Sequence, residues 1–394
     1  MKKRVVIRSG SLRMGGLERI LIEVLQTISK EKYNISLVID DDCGEEDIFK
    51  KDIPNEIDYY FLKSEELMKK ISYYRVRKNN IFYKGLYNFY LSYSKYIACK
   101  NMKKLVKKIG KIDVLIDFDA GASKYIDKIE ASRKIVWIHS SIPNLKKKKD
   151  KIERFGKRLV HYDKIVAICD EMKEELNNLY PYLKEKIIRI YNPFNFERIE
   201  RLSNDIEELT SKETELLKEK YIVAVSRLDS VSKDYSTLLK AMKILKERQI
   251  DEKLYIVGDG PSKVEIEEEI KRLELEENIV LLGRKKNPYI WLKNSDFFVH
   301  SSKFEGLPTV LIEALVCDKL VVSSDCPTGP KEILANETCG RLFEVGDYEK
   351  LAELLEEYIK NKELKEKYIN NIKTRKKEFD KNIVLKEYEK LIDE

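Results

Sequence analysis

Short apolar segments alternate with longer stretches of helical periodicity along all 394 residues, and this alternation is what most restricts the possible folds. In the first half, the candidate strands are Arg4–Arg8, Ile35–Ile39, Val114–Asp117, Lys134–Ile138, Lys164–Ile168 and Ile187–Ile190. In the second half, they are Ile222–Val225, Leu254–Val257, Ile279–Leu282, Phe297–His300, Leu320–Ser323 and Leu342–Phe343. Strands that alternate with helices form mostly parallel sheets. The sequence therefore predicts an α/β protein with two Rossmann-like sheets in tandem.

A turn-rich segment, Tyr191-Asn192-Pro193-Phe194-Asn195, separates the two series and is a good linker candidate. The chain is long enough for two domains of ordinary size. We therefore predict an N-terminal domain over residues 1–192 and a C-terminal domain over residues 193–380. Because ligands bind beyond the carboxyl ends of strands in open α/β sheets, we expect the site in a cleft between the domains.

The segment Phe304–Ala314 carries the clearest chemistry. Glu305 precedes Gly306-Leu307-Pro308, and proline suits the first turn of a helix because its missing N–H would be unpaired there. Free amides at a helix start favour anions such as phosphate. Glu313 follows about one and a half turns into that helix, where a carboxylate can accept hydrogen bonds from two sugar hydroxyls. Together these groups would hold a nucleotide-sugar.

This segment resembles the Glu-x7-Glu signature of the GT4 family of retaining glycosyltransferases, which have the GT-B fold. Further matches, in the family's order, are Gly15-Gly16-Leu17-Glu18, Ser226-Arg227-Leu228-Asp229 with Lys233-Asp234, Val257-Gly258-Asp259-Gly260-Pro261, Leu282-Gly283-Arg284 and Gly329-Pro330-Lys331-Glu332-Ile333. Ser226 and Asp234 each replace a glycine that is usual in the family. The resemblance covers almost the whole chain and implies that the last helix, residues 381–394, joins the first domain.

The resemblance also implies roles on the donor side. Arg227 and Lys233 are expected on the donor diphosphate, where positive charge stabilises the departing nucleotide. Glu305 is expected at the donor sugar, although a single glutamate does not distinguish a nucleophile from a binder. The full donor-binding set is Gly16, Arg227, Lys233, Gly283, Arg284, Glu305, Gly306, Leu307, Pro308, Thr309 and Glu313. The family retains the anomeric configuration by attack on the face of the leaving phosphate, which takes the acceptor proton, so no protein base is needed.

His139 follows an apolar strand, at a place where the family often has a histidine near the donor sugar; a structural histidine is the alternative. The catalytic candidates are Glu305, His139, Arg227 and Lys233. The acceptor-side candidates are Gly15, Glu18, Asp119 and His139. Glu18 has a second interpretation as the cap of the helix that begins beside it. His161 and His300 have no expected role.

Two acidic motifs resemble metal sites. Asp117-Phe118-Asp119 looks like the Asp-x-Asp motif of a different glycosyltransferase fold, which places a divalent ion on the diphosphate. Here Arg227 and Lys233 already supply positive charge at the diphosphate, and the family is generally metal-independent. We therefore expect no metal and no cofactor beyond a nucleotide-sugar co-substrate, UDP-linked. Asp40-Asp41-Asp42 is interpreted as a loop rather than a calcium site.

The net charge of +7 is unevenly placed. Between Lys63 and Lys111, fourteen Lys or Arg residues stand against two acids, which gives this window a charge of +12. The window also contains Tyr73, Tyr74, Tyr83, Tyr87, Tyr90, Tyr93 and Tyr96. Basic residues interleaved with aromatics can seat a helix on an anionic membrane surface, or can form an ordinary helical hairpin with a solvated basic face. We keep both interpretations and expect no nucleic-acid partner.

No run of about 18 apolar residues occurs, and the six scattered cysteines include no Cys-x-x-Cys pair. These features favour a cytoplasmic protein, and the membrane interpretation would place it at the inner face of the cell membrane. We expect a retaining transferase that moves a hexose or N-acetylhexosamine from a UDP-sugar to a glycan or lipid-linked glycan in bacterial surface polysaccharide or glycoconjugate synthesis. The alternatives are a nucleotide-sugar epimerase or hydrolase on the same fold and a non-catalytic partner subunit.

Overall fold

A computed structural model describes residues 2–207, 209–361 and 363–394. The chain divides into two compact units, one formed by residues up to Pro193 together with Val384–Glu394, the other by Phe194–Ile383. Within the described ranges, no helix has both the length and the apolar character needed to cross a lipid bilayer.

The first unit is built on a parallel sheet of seven strands. In chain order these are β1 Lys3–Ser9, β2 Tyr33–Asp41, β3 Asp58–Lys63, β4 Val114–Asp117, β5 Arg133–Ile138, β6 Lys164–Ala167 and β7 Ile187–Arg189. The helices are α1 Gly16–Thr27, α2 Glu65–Val76, α3 Ile81–Ile109, α4 Ile142–Leu145, α5 Lys149–Leu159 and α6 Asp170–Leu179. The spatial order is β3-β2-β1-β4-β5-β6-β7, so the strand order reverses between β1 and β4. Such a reversal opens a crevice at the carboxyl ends of the two strands.

The second unit repeats this plan with six parallel strands. They are β8 Ile222–Val225, β9 Leu254–Val257, β10 Ile279–Gly283, β11 Phe297–His300, β12 Val321–Ser324 and β13 Arg341–Phe343, in the order β10-β9-β8-β11-β12-β13. Its helices are α7 Phe196–Ser203, α8 Ser211–Leu216, α9 Tyr235–Glu247, α10 Lys263–Arg272, α11 Tyr289–Asn294, α12 Thr309–Val316, α13 Pro330–Ile333, α14 Tyr348–Lys360 and α15 Glu363–Arg375. Here the strand order reverses between β8 and β11.

The last helix, α16 Lys381–Asp393, covers part of the first sheet. Tyr388 stacks on Trp137 of β5, with ring centroids 4.8 Å apart. The Lys3 ammonium group donates to the carbonyl oxygen of Ile392 at 3.0 Å. The chain end therefore completes the core of the first unit.

The predicted α/β class with two Rossmann-like sheets is confirmed. Strands such as β4 and β9 are buried along their whole length, as expected of parallel strands covered on both faces. Two details of the prediction were wrong. The edge strand β3 was missed, because only Leu62 of its six residues is buried and the segment lacks an apolar run. Asp40 and Asp41 belong to β2 rather than to a loop, because their carboxylates are paired inside the unit.

Candidate active site

The loops that follow β8, β9 and β10 form one layer at the carboxyl edge of the second sheet. The backbone N–H of Gly258 donates to the carbonyl oxygen of Gly283 at 2.9 Å. A side chain on Gly258 would overlap the carbonyl oxygen of Ser226, which explains the glycine in this turn. Arg227 is exposed on this layer and forms no ion pair with a residue that the structure describes. Its guanidinium group is therefore available to an external anion.

Gly283 and Arg284 adjoin this layer. Gly283 ends β10 with a φ of +70°, a left-handed conformation that glycine adopts readily. Arg284 follows on the exposed surface. Both predicted donor-binding residues therefore lie at the carboxyl end of a strand in the same sheet as Arg227.

Lys233 is held between the loops that follow β8 and β11. Its backbone pairs with Ser302 in an isolated bridge, and Ser301 Oγ donates to the carbonyl oxygen of Asp234 at 2.7 Å. The Asp234 side chain caps α9 and accepts a hydrogen bond from Thr237 Oγ1 at 2.8 Å. The aspartate that replaces the family's glycine thus stabilises the start of α9 beside Lys233.

Glu305 receives three donors on a single oxygen, Oε1. The Lys233 ammonium group contacts this atom, Ser302 Oγ donates to it at 2.7 Å, and His300 Nε2 lies 3.0 Å away. Oε2 has no partner within the described part of the chain. Burial alone would raise the pKa of Glu305, but the hydrogen bond from His300 and the charge of Lys233 outweigh burial and lower the pKa to about 2. The group is thus a fixed carboxylate at neutral pH, able to stabilise positive charge but not to donate a proton.

His300 is a site residue that sequence reasoning missed. It is buried at the end of β11, and burial lowers its pKa, so the ring is neutral and donates to Glu305. The available signal was its place at a strand's carboxyl end, five residues before Glu305. A lone histidine inside an apolar strand is more often structural, and that expectation hid the contact.

The segment after Glu305 is locked to the turn before α13. The backbone N–H of Glu305 donates to Pro327 O at 2.7 Å, and Thr328 Oγ1 donates to Gly306 O at 2.8 Å. Gly329 has a φ of +97°, and a Cβ there would lie 2.8 Å from Gly306 O. The Gly-Pro motif therefore supports the Glu-Gly-Leu-Pro motif directly.

The helix α12 begins at Thr309, so Pro308 is its N-cap and stands immediately before the first turn in which it was predicted to lie. Glu313 lies inside this helix and is 8% exposed. Tyr289 Oη donates to Glu313 Oε1 at 3.3 Å. Glu305 precedes α12, whereas Glu313 lies inside it, so the two acids stand on either side of the helix start.

In the first unit, the turn after β1 is compact. Gly15 is the N-cap of α1 and Gly16 its first residue. A Cβ on Gly15 would overlap the carboxylate of Glu18, which accepts a hydrogen bond from Ser11 Oγ at 3.0 Å. Burial raises the pKa of Glu18. Glu18 lies in the first turn of α1, where its carboxylate accepts a hydrogen bond from its own backbone N–H, and this placement agrees with the capping interpretation.

Arg8 of β1 gathers three aspartates at the strand reversal. Its guanidinium group pairs with Asp40 at 2.6 Å, with Asp117 at 3.0 Å and with Asp119. Burial raises the pKa of Asp117 to about 6, whereas the charge of Arg8 lowers the pKa of Asp40 despite its burial. Tyr162 Oη donates to Asp117 at 2.5 Å. Arg8 was also missed, because one arginine in a strand does not reveal partners 32 and 109 residues away.

Asp119 and His139 follow the carboxyl ends of the neighbouring strands β4 and β5. Asp119 accepts a hydrogen bond from the backbone N–H of Gly121 at 2.9 Å as well as the contact from Arg8. The His139 ring packs against Phe118 at 4.8 Å, and its Nε2 is buried without a hydrogen-bond partner among the described residues. Burial lowers the pKa of His139 to about 4, so Nε2 is available as an acceptor.

The predicted site residues thus fall into two sets, one on the carboxyl edge of each sheet. In the second unit Lys233 and Glu305 are in direct contact. In the first unit Gly15 adjoins Glu18, and the charge of Asp119 acts on His139. Within the described residues, no group of three or more His, Cys, Asp or Glu side chains is placed to hold a metal ion.

Comparison with known proteins shows which proteins this chain is similar to. Residues 205–375 match the family model described as glycosyl transferases group 1. A 224-residue stretch is 37% identical to the Campylobacter jejuni N-acetylgalactosamine-N,N'-diacetylbacillosaminyl-diphospho-undecaprenol 4-alpha-N-acetylgalactosaminyltransferase and covers 56% of this chain and 58% of that one. The chain spans about half the length of the first curated relatives that it matches.

Two further likenesses extend over the whole chain. The C. jejuni GalNAc-alpha-(1->4)-GalNAc-alpha-(1->3)-diNAcBac-PP-undecaprenol alpha-1,4-N-acetyl-D-galactosaminyltransferase is 28% identical over 388 residues, or 98% of this chain and 96% of that one. An Anabaena protein solved in complex with UDP superposes with a TM-score of 0.74 at 16% identity, with 99% of each chain covered. Residues 205–375 therefore match the group 1 glycosyltransferases, the whole chain is similar to GT4-type enzymes, and its fold is the two-domain GT-B fold.

Proposed function

We propose that this protein is a retaining glycosyltransferase that moves a hexose or N-acetylhexosamine from a UDP-sugar to a hydroxyl of a glycan or lipid-linked glycan. The two Campylobacter relatives transfer N-acetylgalactosamine to acceptors that their names describe as diphospho-undecaprenol-linked, and the Anabaena neighbour binds UDP. These likenesses support synthesis of a bacterial surface polysaccharide or glycoconjugate. The activity of the whole protein, its sugar donor and its acceptor are all part of this proposal.

The observation that carries the proposal is the Glu305 constellation. Lys233, with three N–H donors, can keep its contact with Glu305 and still reach a donor phosphate, while Arg227, which pairs with no acid among the described residues, supplies a second cation. The Glu305 carboxylate then stabilises positive charge on the anomeric carbon as the bond to the phosphate breaks. Glu313 holds the ribose, and Gly16, Gly283, Arg284 and the Gly306–Thr309 segment complete the donor site.

His139 and Asp119 serve the sugar and the acceptor in this proposal. His139 Nε2 accepts a hydrogen bond from a sugar hydroxyl, because the ring is neutral and that nitrogen lacks a protein partner among the described residues. The leaving phosphate takes the acceptor proton, so the reaction needs no protein base. Two cations already face the diphosphate, and we propose that neither a metal nor another cofactor is required.

The hairpin of α2 and α3 is proposed to rest on an anionic membrane surface. Its tip exposes large apolar side chains, with Val76, Ile81 and Phe82 at 76%, 88% and 67% exposure. Tyr74 stacks on Tyr90 at 5.3 Å, so some of the tyrosines pack the hairpin itself, as the simpler interpretation holds. Exposed apolar groups beside a strongly basic window suit the headgroup region of anionic lipid.

The test is donor turnover with and without an acceptor. Purified protein is incubated with UDP-hexoses and UDP-N-acetylhexosamines in EDTA, with or without a diphospho-undecaprenol-linked sugar, and release of UDP is followed. The proposal expects release that depends on acceptor, with a product of retained configuration by NMR. Donor consumption without acceptor would identify a hydrolase or epimerase instead. No consumption under any condition would favour a non-catalytic partner.

A further inference from the structure

Arg8 of β1 contacts three carboxylates, and all three nitrogens of its guanidinium group take part. Nε donates to Asp40 Oδ1 at 2.8 Å and Nη2 lies 2.6 Å from Asp40 Oδ2, so this pair is bidentate. Nη1 donates to Asp117 Oδ1 at 3.0 Å and also contacts Asp119 Oδ1. The Arg8 side chain is only 3% exposed. A rigid, buried fork of donors therefore fixes the three acids.

Two of the three carboxylates are fully occupied by the protein. Asp40 receives Arg8 on both of its oxygens. Tyr162 Oη donates to Asp117 Oδ2 at 2.5 Å, and the backbone N–H of Ala122 lies 3.1 Å from the same atom. Each oxygen of Asp40 and of Asp117 thus has a donor, and both side chains are buried. Neither acid is free to take a ligand.

Asp119 differs, because only one of its oxygens is held. Oδ1 receives Arg8 and the backbone N–H of Gly121, the latter at 2.9 Å. Oδ2 receives no hydrogen bond from a residue that the structure describes. The Asp119 side chain is 22% exposed, against 10% for Asp40 and 0% for Asp117. Oδ2 is therefore an acceptor atom of fixed position that the protein itself leaves open.

Two glycines keep this arrangement tight. A Cβ on Gly121 would overlap the guanidinium group of Arg8. Beyond its chain neighbours, a Cβ on Gly10 would meet only Asp119 among the described residues, with Oδ2 2.6 Å away and Cγ 3.9 Å away. The loop after β1 thus lies against the same carboxylate that Arg8 orients, so Asp119 has little freedom to turn.

Ion pairing alone does not explain the third carboxylate. One guanidinium group balances one negative charge, and further carboxylates beside it repel the first. The effect is visible at Asp117, where burial raises the pKa to about 6 and the charge of Asp119 adds to the rise. A surplus charge that is oriented against such repulsion is typical of functional rather than purely structural positions.

The place and chemistry of Oδ2 suit an acceptor sugar. Asp119 follows β4 of the first unit, whereas Arg227, Lys233 and Glu305 of the proposed donor site belong to the second. A carboxylate accepts hydrogen bonds from sugar hydroxyls but repels a diphosphate. We infer that Arg8 is a positioning residue, which holds the Asp119 carboxylate so that Oδ2 accepts a hydrogen bond from a hydroxyl of the acceptor sugar. The inference rests on the proposed function, in which Asp119 serves the acceptor.

The hydroxyl that Asp119 binds is a neighbour of the one that reacts. In the transfer, the attacking oxygen bonds to the anomeric carbon and the bond from that carbon to the phosphate oxygen breaks. The proton of the attacking hydroxyl passes to the leaving phosphate, so that hydroxyl cannot also donate to Asp119. The carboxylate takes no proton, and its contribution is the orientation of the acceptor.

The main test is a double-mutant cycle in the full chain, with a diphospho-undecaprenol-linked sugar as acceptor. Asp119→Asn should lower kcat/KM for the acceptor by roughly 10²-fold, because the acceptor loses its orientation. Arg8→Lys should lower it roughly tenfold, because lysine keeps the charge but not the fork. In the Asp119→Asn background, Arg8→Lys should change kcat/KM less than about twofold, because its target is gone. Losses that multiply in the double variant would make Arg8 structural and overturn the inference.

Gly10→Ala tests the same point without altering the buried charges, and it serves if Arg8→Lys does not fold. The added methyl group displaces Asp119 Oδ2, so kcat/KM for the acceptor should fall about tenfold while the melting temperature stays near that of wild type. The matched control is the same change in an Asp119→Ala background, where it should have no further effect. A Gly10→Ala protein with wild-type kcat/KM would contradict the inference.

Tyr162→Phe is the control for a structural role. It removes the hydrogen bond to Asp117 but no contact of Asp119. It should lower the melting temperature, yet leave kcat/KM for the acceptor within about twofold of wild type. A loss of kcat/KM as large as that of Arg8→Lys would show that the stability of this edge, rather than the position of Asp119, controls the rate, and would overturn the inference.

Calorimetry with UDP separates this inference from the proposed function. Asp119→Asn and Arg8→Lys should bind UDP as wild type does. A loss of UDP affinity as large as the loss of kcat/KM would assign Asp119 to the donor and overturn the inference. A wild type without acceptor-dependent release of UDP would overturn the proposed function, and this inference with it. An active wild type with multiplying losses in the cycle would overturn this inference alone.

Discussion

The charge of Glu305 is the residue-scale property on which the proposed chemistry depends. Glu305→Gln keeps the size of the side chain but removes its charge, so transfer should fall by roughly 10²–10³-fold, as for other groups that stabilise a developing charge. Binding of UDP should change by only a few-fold, because Glu305 is placed at the sugar rather than the nucleotide. Initial rates of UDP release measure transfer, and UDP titrations measure binding. The control is Glu344→Gln, which removes a carboxylate on the exposed surface. A rate within threefold of wild type would contradict the role.

His139 makes stability depend on pH. Its pKa is about 4 in the folded protein and 6.5 when unperturbed, so the unfolded chain binds the proton more readily. The stabilisation is therefore present above pH 6.5, is lost as pH falls and levels off below pH 4. Between pH 7 and 5 the loss should be about 2 kcal/mol. Urea unfolding of wild type and His139→Phe at several pH values measures this loss. If the free energy of unfolding depends on pH equally in both proteins, the effect does not come from His139.

Residues differed in how far the sequence revealed them. Glu305, Lys233 and Arg227 stood in recognisable motifs and lie on the edge of one sheet. His300 and Arg8 did not, because their roles arise from partners that only the folded chain brings near. The contact of His300 with Glu305 needs the turn after β11, and the pairing of Arg8 needs β2 and β4 beside β1. The catalytic and binding roles of all these residues stay predictions.

At the scale of elements, the turn before α13 is expected to hold the donor loop in shape. Gly329→Ala places a Cβ 2.8 Å from Gly306 O at a φ of +97°, so it should destabilise the second unit by roughly 2–4 kcal/mol and weaken UDP binding. Gly346→Ala is the matched control, because its φ is +90° but a Cβ meets nothing within 4 Å. It should cost roughly 1 kcal/mol and leave UDP affinity intact. Equal effects of the two variants on UDP binding would show that the turn does not support the loop.

The α2–α3 hairpin gives the second prediction at this scale. Ile81→Ser/Phe82→Ser removes two strongly exposed apolar groups and should reduce retention by phosphatidylglycerol vesicles several-fold, because these groups enter the headgroup region. Retention should also fall with salt. Val264→Ser, which removes an exposed apolar group of the second unit, should have no effect. Flotation assays measure the retention. Equal flotation of wild type on neutral and anionic vesicles would contradict binding of the hairpin to an anionic membrane surface.

Most strands could be predicted, because apolar segments in a parallel sheet are buried on both faces. The edge strand β3 was missed because Asp58 and Tyr59 are exposed and the segment has no apolar run. Other strands were predicted, but their observed bounds differ from the predicted ones. The strand β2, for example, extends through Asp41. Its two acids are accommodated there because Arg8 pairs with Asp40 and Lys63 pairs with Asp41. Local pattern could not show these pairings.

At the scale of the whole molecule, the two units share a plan and differ in charge chemistry. Each has a parallel sheet whose strand order reverses once, and each places its candidate residues after the carboxyl ends of its strands. The second unit pairs Lys233 with Glu305 and exposes Arg227 on the same edge of its sheet, which is the arrangement on which the proposed donor site depends. The first combines neutral His139 with the paired aspartates of Arg8.

The central claim is that the second unit binds a nucleotide-sugar through Glu313 and its neighbours. Thermal stability of wild type, Glu313→Ala and the surface control Glu344→Ala is measured with UDP, ADP, GDP and CDP and their sugars, in EDTA. Ligands that bind the folded state raise the melting temperature, by an amount that depends on concentration over Kd. The account predicts a shift with UDP and UDP-sugars in wild type and Glu344→Ala that is lost in Glu313→Ala. A wild type that no nucleotide stabilises, or a shift that survives in Glu313→Ala, would contradict it.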